Sequence, residues 1–334
     1  MSYEVTIAIP VYNVEKYVEK SILSALNQTF NSIEYLIIDD KGTDRSIDIV
    51  KNIVKKHPRG NHVRIVDHIV NKGTGATKNS AIKEARGRYL YFMDSDDTIH
   101  PQCISKLYHI AEKNKVQIVA SSHNTCDERG KIISINRLKQ HFTEGEQLID
   151  YYRNNHFFVY TWNKLYDIKY LRDNNIRCIP HHLCEDVFFT FQIISTCKSF
   201  YIYNGATYDY LMNPNSLMGN QNNGFTEKLS TMYVEAINEK CKYINNITDS
   251  DKLIILCDDI VKEIKILHNK ILSSCVIDDH KKKELLSCLS QHLPFLLEHS
   301  SFFIDSKLPS KNLLYWIKKA RRHLIIFYLN ILKH

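Results

Sequence analysis

RYLYFMDSDDTIHP, Arg88 to Pro101, decides how the chain is read. Leu90 to Met93 is apolar and built from strand formers, and it runs directly into Asp94, Asp96 and Asp97. In an extended segment residues i and i+2 point the same way, so Asp94 and Asp96 are expected on one face with Asp97 turned aside. Two adjacent carboxylates raise each other's pKa unless a cation lies beside them. A hard divalent ion such as Mg²⁺ accepts one or two carboxylates and completes its shell with water and phosphate oxygens. The alternative is a solvated turn with helix-capping acids, which is the commoner meaning of so short a pattern.

Around this stretch the first hundred residues alternate strand and helix. Val5–Ile9, Ile33–Asp40, His62–Ile69 and Tyr89–Met93 read as strands. Glu15–Leu26, Asp44–Lys56 and Thr74–Ala85 read as helices, with Asp44 as an N-cap and Gly87 as a stop. Such alternation predicts βαβ units, a mostly parallel sheet and an α/β class. Ligands of these sheets bind outside the carboxyl ends of the strands. There the sequence places Tyr12 and Asn13, Asp39 and Asp40, and Asp94 to Asp97, so three loops are expected to converge on one crevice. Tyr12 offers an aromatic face, Asp39 or Asp40 an acceptor for an imide N–H, and Lys78 a cation for a phosphate. The plain alternatives are a core aromatic for Tyr12 and a solvated helix face for Lys78. The glycines of NKGTG complete neither a dinucleotide fingerprint nor a P-loop.

Further along, Gln102–Asn114 reads as a helix and VQIVASS as a strand, followed by a mixed region to about Met218. From Phe225 the pattern becomes helical, with segments at Glu227–Asn245, Lys252–Leu272, Lys281–Leu297 and Lys311–Leu332. The expected division is residues 1–100, 101–220 and a helical region 221–334. Composition is that of a globular protein, with 44% hydrophobic and 24% charged residues among 334. The net charge of +7 suits anionic ligands, but the cations are scattered and no nucleic-acid partner is implied. Nine cysteines without a CxxC pair read as free thiols of a cytoplasmic protein. The N-terminus reads as a strand rather than a signal peptide, and no apolar run approaches the ~20 residues that span a bilayer.

Four segments, VTIAIPVYNVEKYVEKSILSALNQTF, IEYLIIDDKGTDRS, NKGTGATKNSAIKEARGRYLYFMDSDD and WNKLY…EDVFF, stand in the order and spacing of the family 2 glycosyltransferases. The chain resembles that family, of the bacterial surface-polysaccharide type, over roughly residues 4–220. The resemblance implies a GT-A (Rossmann-like) fold. It also implies inverting transfer of a sugar from a nucleotide-diphosphate donor, usually UDP-linked, with Mg²⁺ or Mn²⁺. Carried onto this sequence, Pro10 and Tyr12 border the base, Asp40 contacts uracil and Asp39 supports it. Asp94 holds the ribose side, Ser95 and Lys78 also serve the nucleotide-sugar, and Asp96 ligates the metal. Asp186 matches the general base, Trp162 stacks on the acceptor sugar, and Glu185 belongs to the acceptor side. Three departures stand out: the usual Asp-Asp-Gly-Ser turn is Asp39-Asp40-Lys41-Gly42, the usual Ala-Arg-Asn is Thr77-Lys78-Asn79, and Leu211 and Met212 replace an arginine.

The residues also state the chemistry independently. Inversion needs a base on the face opposite the leaving group. The leaving diphosphate needs charge neutralisation, which a metal supplies without a proton donor. Glu185 and Asp186 are the candidates for that base, because they precede the apolar run Val187–Ile194; acids at a helix N-terminus that only complement its dipole are the alternative. His181, His182 and Cys184 lack a second ligand pair for zinc. The tail KNLLYWIKKARRHLIIFYLNILKH either packs as a basic helix or lies on an anionic membrane surface, which would suit a lipid-linked glycan acceptor. A nucleotidyltransferase would need a basic glycine-rich loop after the first strand, which PVYNVEKY is not. A non-catalytic sugar-nucleotide binder would need the early acids but not Asp186.

Overall fold

The computed structural model describes residues 3–144, 148–154, 159–182, 184–213 and 226–300. The chain falls into two compact units, residues 1–220 and 221–334.

The first unit opens with the expected alternation: β1 (Tyr3–Val11), α1 (Val18–Leu26), β2 (Ile33–Asp39), α2 (Ser46–Lys56), β3 (Val63–Asp67), α3 (Gly73–Glu84) and β4 (Gly87–Phe92). Every residue of β2 is buried, as a strand covered on both faces requires. The helix α1 buries Val18, Ser21, Ile22, Ala25 and Leu26, the i, i+3/i+4 spacing of one apolar face. It begins later than Glu15, because Asn13 is left-handed (φ 52°) and a turn from Val14 to Tyr17 precedes it. The helix α2 likewise starts at Ser46, and Asp44 accepts from the Ser46 N–H (3.0 Å) and from the Glu15 N–H (2.9 Å), tying the two loops together.

The chain continues through β5 (Thr98–Ile99), α4 (Cys103–Asn114), β6 (Ile118–Cys126), β7 (Ile132–Asn136), β8 (His141–Glu144), α5 (Leu148–Asn154), β9 (Lys164–Asp167), α6 (Ile168–Asp173), α7 (Glu185–Thr196) and β10 (Ser199–Leu211). Among the described residues one sheet runs in the order β3-β2-β1-β4-β9-β6-β10-β5, with β7 beside β6 and β8 beside β10. The α/β class and the flanking helices are as expected. The pairs among β1 to β4 are parallel, as is β6 with β10, whereas β9 lies antiparallel between β4 and β6.

Register then positions the site. Val11 of β1 stands opposite Asp39 of β2, and Ala8 of β1 opposite Phe92 of β4. The loops carrying Tyr12, Asp40 and Asp94 therefore leave the sheet at one edge. Because β9 runs the other way, with Leu165 opposite Tyr91, the start of β9 lies at that same edge. Trp162, Asn163 and Lys164 arrive beside the aspartates for that reason.

The second unit holds α8 (Glu227–Ile244), α9 (Ser250–Ser273), α10 (Asp279–Ser290) and α11 (Leu293–Glu298). Thr226, Asp249 and Asp278 cap the first three by accepting the N–H of Leu229, Lys252 and Lys281. The single helix expected from Lys281 to Leu297 is two: Pro294 is tolerated only in a first helical turn, so α11 starts anew at Leu293. Among the described residues no helix is long and apolar enough to cross a membrane. The helix expected at Lys311–Leu332, and with it the membrane-facing tail, lies outside the described residues.

Gly87 shows how tightly the central strands are joined. A Cβ there would sit 2.5 Å from the Thr6 N and 2.6 Å from the Val5 carbonyl carbon, both backbone atoms that cannot yield. Gly87→Ala is expected to cost about 3 kcal/mol of stability, read as a lowered urea midpoint by circular dichroism; an unchanged midpoint would show that β1 and β4 separate easily.

Candidate active site

The turn after β2 is the first wall. Lys41 adopts the left-handed conformation (φ 57°) that glycine favours, although a lysine stands there. Its N–H donates to Asp39 Oδ1 (2.9 Å) and its ammonium pairs with Asp39 Oδ2 (3.3 Å) and Asp67 (3.5 Å). Gly42 follows because a Cβ would fall 2.9 Å from the Asn13 N. The departure from the Asp-Asp-Gly-Ser pattern thus keeps a tight turn by another route. Tyr12, at the end of β1, is 46% exposed and free to meet a planar ligand.

Asp40 is not free to do the same. Its Oδ1 accepts from His68 Nδ1 (2.7 Å) and the Lys72 N–H (2.8 Å), and its Oδ2 from Asn71 Nδ2 (3.1 Å) and the Gly73 N–H (2.8 Å). A carboxylate offers about four acceptor sites, and these four donors fill them. Asp40 builds the loop between β3 and α3 through these bonds, and Asp39 has more room for a further donor.

The turn after β4 is the second wall. Asp97 is turned aside and buried, accepting from the Tyr208 hydroxyl (2.6 Å) and the Leu211 N–H (2.7 Å). The same Tyr208 oxygen accepts from the Asp94 N–H (3.2 Å), so β10 clamps the turn. Burial, with Asp96 and Asp94 nearby, holds the Asp97 carboxyl well above the usual range. Asp94 and Asp96 stay partly exposed, and Ser95 between them is buried. Burial raises Asp96, opposed by a hydrogen bond from the Asn213 side chain. Asp94 is pushed up to about 6 by burial, against the pull of Lys78 and with the charges of Asp96, Glu185 and Asp186.

The third wall comes from α3 and α7. Gly75 of α3 packs so closely that a Cβ would meet the Ile179 carbonyl oxygen at 2.0 Å. One turn on, Lys78 Nζ donates to Glu185 Oε1 at 2.8 Å, and both residues are buried. Burial would lower the Lys78 pKa, and Glu185 and Asp94 reverse this and raise it. Lys78 thus gives one of its three N–H donors to a carboxylate, and Glu185 gives one of its oxygens to Lys78. Asp186, the second residue of α7, is partly exposed. Burial and Glu185 push its carboxyl up to about 6, with Lys78 and Lys164 opposing.

Trp162 is also placed differently from expectation. It is 8% exposed and lies parallel to Tyr160 (3.7 Å between centroids, 5°), Tyr208 (4.6 Å, 17°) and Tyr210 (5.5 Å, 4°). Its indole belongs to an aromatic column, not to an open platform for a sugar. Next to it, Lys164 was missed: it is buried, its ammonium donates to the Tyr160 carbonyl, and burial pushes its pKa down to about 7. Its only sequence signal was membership of TWNKLY. Pro10, near the end of β1, lies in the strand opposite Ile38.

Among the described residues, no three His, Cys, Asp or Glu side chains converge as a protein-only metal cage requires. His182 Nδ1 accepts from the Cys184 N–H (3.2 Å). All nine cysteines are free thiols.

The raised Asp94 carboxyl has a stability consequence. A folded-state pKa above the unfolded value means the folded protein holds its proton more tightly, so stability falls as pH rises from about 4 through 6. Asp94→Asn is expected to raise the melting temperature of the ligand-free protein at pH 7.5 by about 3 °C, and the gain should vanish near pH 4. A fall at pH 7.5 would mean that the Asp94 charge is well compensated.

Sequence and structural comparisons agree with this geometry. An uncharacterized glycosyltransferase of Haemophilus influenzae is 36% identical over 131 residues, 39% of this chain and 51% of that protein. The poly(ribitol-phosphate) beta-glucosyltransferase of Bacillus spizizenii is 32% identical over 212 residues, 62% of this chain and 32% of that protein. The chain thus spans about half and a third of those relatives' lengths. In fold it is similar to S. aureus TarS 1-349 in complex with UDP-GlcNAc, with a TM-score of 0.70, 20% identity, and coverage of 90% of this chain and 84% of that one. Residues 6–174, half of the chain, match the profile of Glycosyl transferase family 2, and the protein belongs to that family.

Proposed function

We propose that the protein is an inverting glycosyltransferase. It moves a sugar from a UDP-sugar to a hydroxyl of a glycan or lipid-linked glycan. The observation that carries this reading is a contact between distant parts of the chain: Lys78 on α3 bonds at 2.8 Å to Glu185, the neighbour of Asp186 on α7, and its charge acts on Asp94 after β4. A donor-side acid and an acceptor-side acid thus share one crevice.

In this reading Tyr12 and Pro10 border the uracil and Asp39 accepts its imide N–H. Asp94 and Ser95 face the ribose. Asp96 would hold Mg²⁺ or Mn²⁺ together with diphosphate oxygens of the donor. The fit rests on the donor: Asp96 is a partly exposed carboxylate with a raised pKa, and such an ion takes one or two carboxylates from a protein. When bound, the ion supplies positive charge to the departing diphosphate. Asp186 removes the acceptor hydroxyl proton as that oxygen bonds to the anomeric carbon, and the carbon–diphosphate bond breaks on the opposite face. A base whose pKa is about 6 is ionised at neutral pH yet still basic enough to take part. The UDP-GlcNAc in the TarS structure and the polymer acceptor named for the B. spizizenii relative support the choice of donor and acceptor class. A cytoplasmic site, peripheral to the inner face of a membrane through the basic tail, would suit a lipid-linked acceptor.

The test is transfer and UDP release on matched variants. Asp186→Asn is expected to lower transfer by roughly 10²–10⁴-fold while UDP-sugar affinity stays within about twofold. Full transfer by this variant, or release of pyrophosphate in place of UDP, would overturn the reading. In calorimetry with Mn²⁺, Asp96→Asn should weaken metal-dependent UDP binding about tenfold or more. Asp97→Asn should act through stability instead, because its carboxylate is spent on Tyr208 and Leu211. Equal loss of metal dependence in both variants would remove Asp96 as the ligand.

A further inference from the structure

The hairpin of β6 and β7 stands clear of the sheet. Tyr91 of β4 lies level with Leu165 of β9, and Leu165 with Val119 of β6. Both pairs are antiparallel, so β4 and β6 run the same way. From that common level β4 ends at Phe92, whereas β6 continues to Cys126. At about 3.3 Å per residue, β6 overshoots β4 by roughly 20 Å. The overshoot lies at the edge of the sheet where Asp94 and Asp96 follow β4. There β7 returns along β6, and the end of β10 flanks the other side, with Leu211 opposite Cys126.

The surface of this hairpin combines apolar and cationic groups. Ile132 is 49%, Ile133 57% and Ile135 48% exposed. Met212, whose N–H donates to the Cys126 carbonyl (2.8 Å), is 53% exposed beside them. Single exposed aliphatic side chains are ordinary, but a cluster of them marks a place of interaction. Arg129, Lys131, Arg137 and Lys139 are exposed on the same segment. Among the described residues none of these four cations is in an ion pair. Asp127 accepts the N–H groups of Arg129 (3.0 Å) and Lys131 (2.8 Å) and so closes the turn, which leaves Glu128 as the exposed acid of the segment.

We propose that the β6–β7 hairpin docks the protein on an anionic lipid surface, with Ile132, Ile133 and Ile135 entering the head-group layer and the cations held against its phosphates. Charge complementarity selects this occupant, because apolar side chains interleaved with unpaired lysine and arginine are what such a surface attracts. A second copy of the chain fits worse. The register between β6 and β7 slips between Thr125 and Cys126, and a bulge of this kind bends an edge strand away from further pairing. Two β7 strands paired antiparallel about Ser134 would also set Lys131 of one copy against Arg137 of the other, like charges directly opposed. The docking is separate from the basic tail. It brings the edge that carries Asp94 and Asp96 to the membrane, and the use of that for a lipid-linked acceptor rests on the function proposed above.

The experiment is co-sedimentation of the full chain with vesicles of equimolar phosphatidylglycerol and phosphatidylcholine, or of phosphatidylcholine alone, without donor or acceptor. Binding is therefore read apart from the transfer chemistry, and either can fail without the other. The native chain should bind the anionic vesicles and not the neutral ones. The pair Ile133→Ser with Ile135→Ser, and the pair Lys131→Gln with Arg137→Gln, should each weaken that binding about tenfold or more. Native affinity in both pairs would overturn the proposal and assign the binding to another part of the chain. Inorganic polyphosphate is the competing probe. Loss in the charge pair alone, equal for vesicles and polyphosphate, would mark a site for a soluble polyanion and also overturn it. If the serine pair does not fold, Ile133→Trp decides. An indole at the head-group level should tighten vesicle binding by roughly three- to tenfold, and unchanged or weaker binding overturns the proposal.

Discussion

The ion pair between Lys78 and Glu185 is the constraint on which the site depends. It joins α3 to α7, the helix that carries Asp186. Both charges are buried, so neither partner can be lost cheaply: removing one of a buried pair typically costs 3–5 kcal/mol. The close approach at Gly75 is what makes the 2.8 Å contact reachable. Once that contact forms, Asp186 is carried into the crevice by the helix that follows Glu185. The pair therefore acts at a distance from the reacting atoms, by deciding where a neighbouring residue points.

Much of the fold was legible in the sequence. Ile33–Asp40 read as a strand and Glu15–Leu26 and Asp44–Lys56 as helices, and each element is found within a few residues of those bounds. The turning aside of Asp97 followed from the pleat alone. What could not be read was non-local. Nothing in TWNKLY says that β9 runs antiparallel between β4 and β6, so the burial of Lys164 at the start of that strand was invisible. Asp40, Lys78 and Trp162 had the right chemistry for a ligand, and in the fold they also meet His68, Glu185 and the tyrosines, groups supplied from elsewhere in the chain. A sequence shows which groups a residue offers and leaves open who consumes them. Pro294 was the opposite case, a local signal in plain sight that a long apolar period outweighed.

The site is also a study in uneven charge. Asp94, Asp96, Asp97, Glu185 and Asp186 gather where two lysines answer them. Repulsion of this kind destabilises the ligand-free protein and is relieved by whatever cation arrives with the donor. Binding energy and folding energy are thereby linked: the repulsion among these carboxylates is relieved by any cation that binds beside them.

The enclosure of Asp40 has a consequence for kinetics. Its four donors come from the short stretch His68–Gly73, so that loop is set before any ligand arrives, although Ile69 is 90% and Val70 60% exposed. A loop that had to freeze on contact would give up about 1–2 kcal/mol of backbone entropy for each residue ordered. Here that ordering occurs during folding. The rim of the crevice is thus shaped during folding, and a molecule that meets it need not wait for the loop to find its shape.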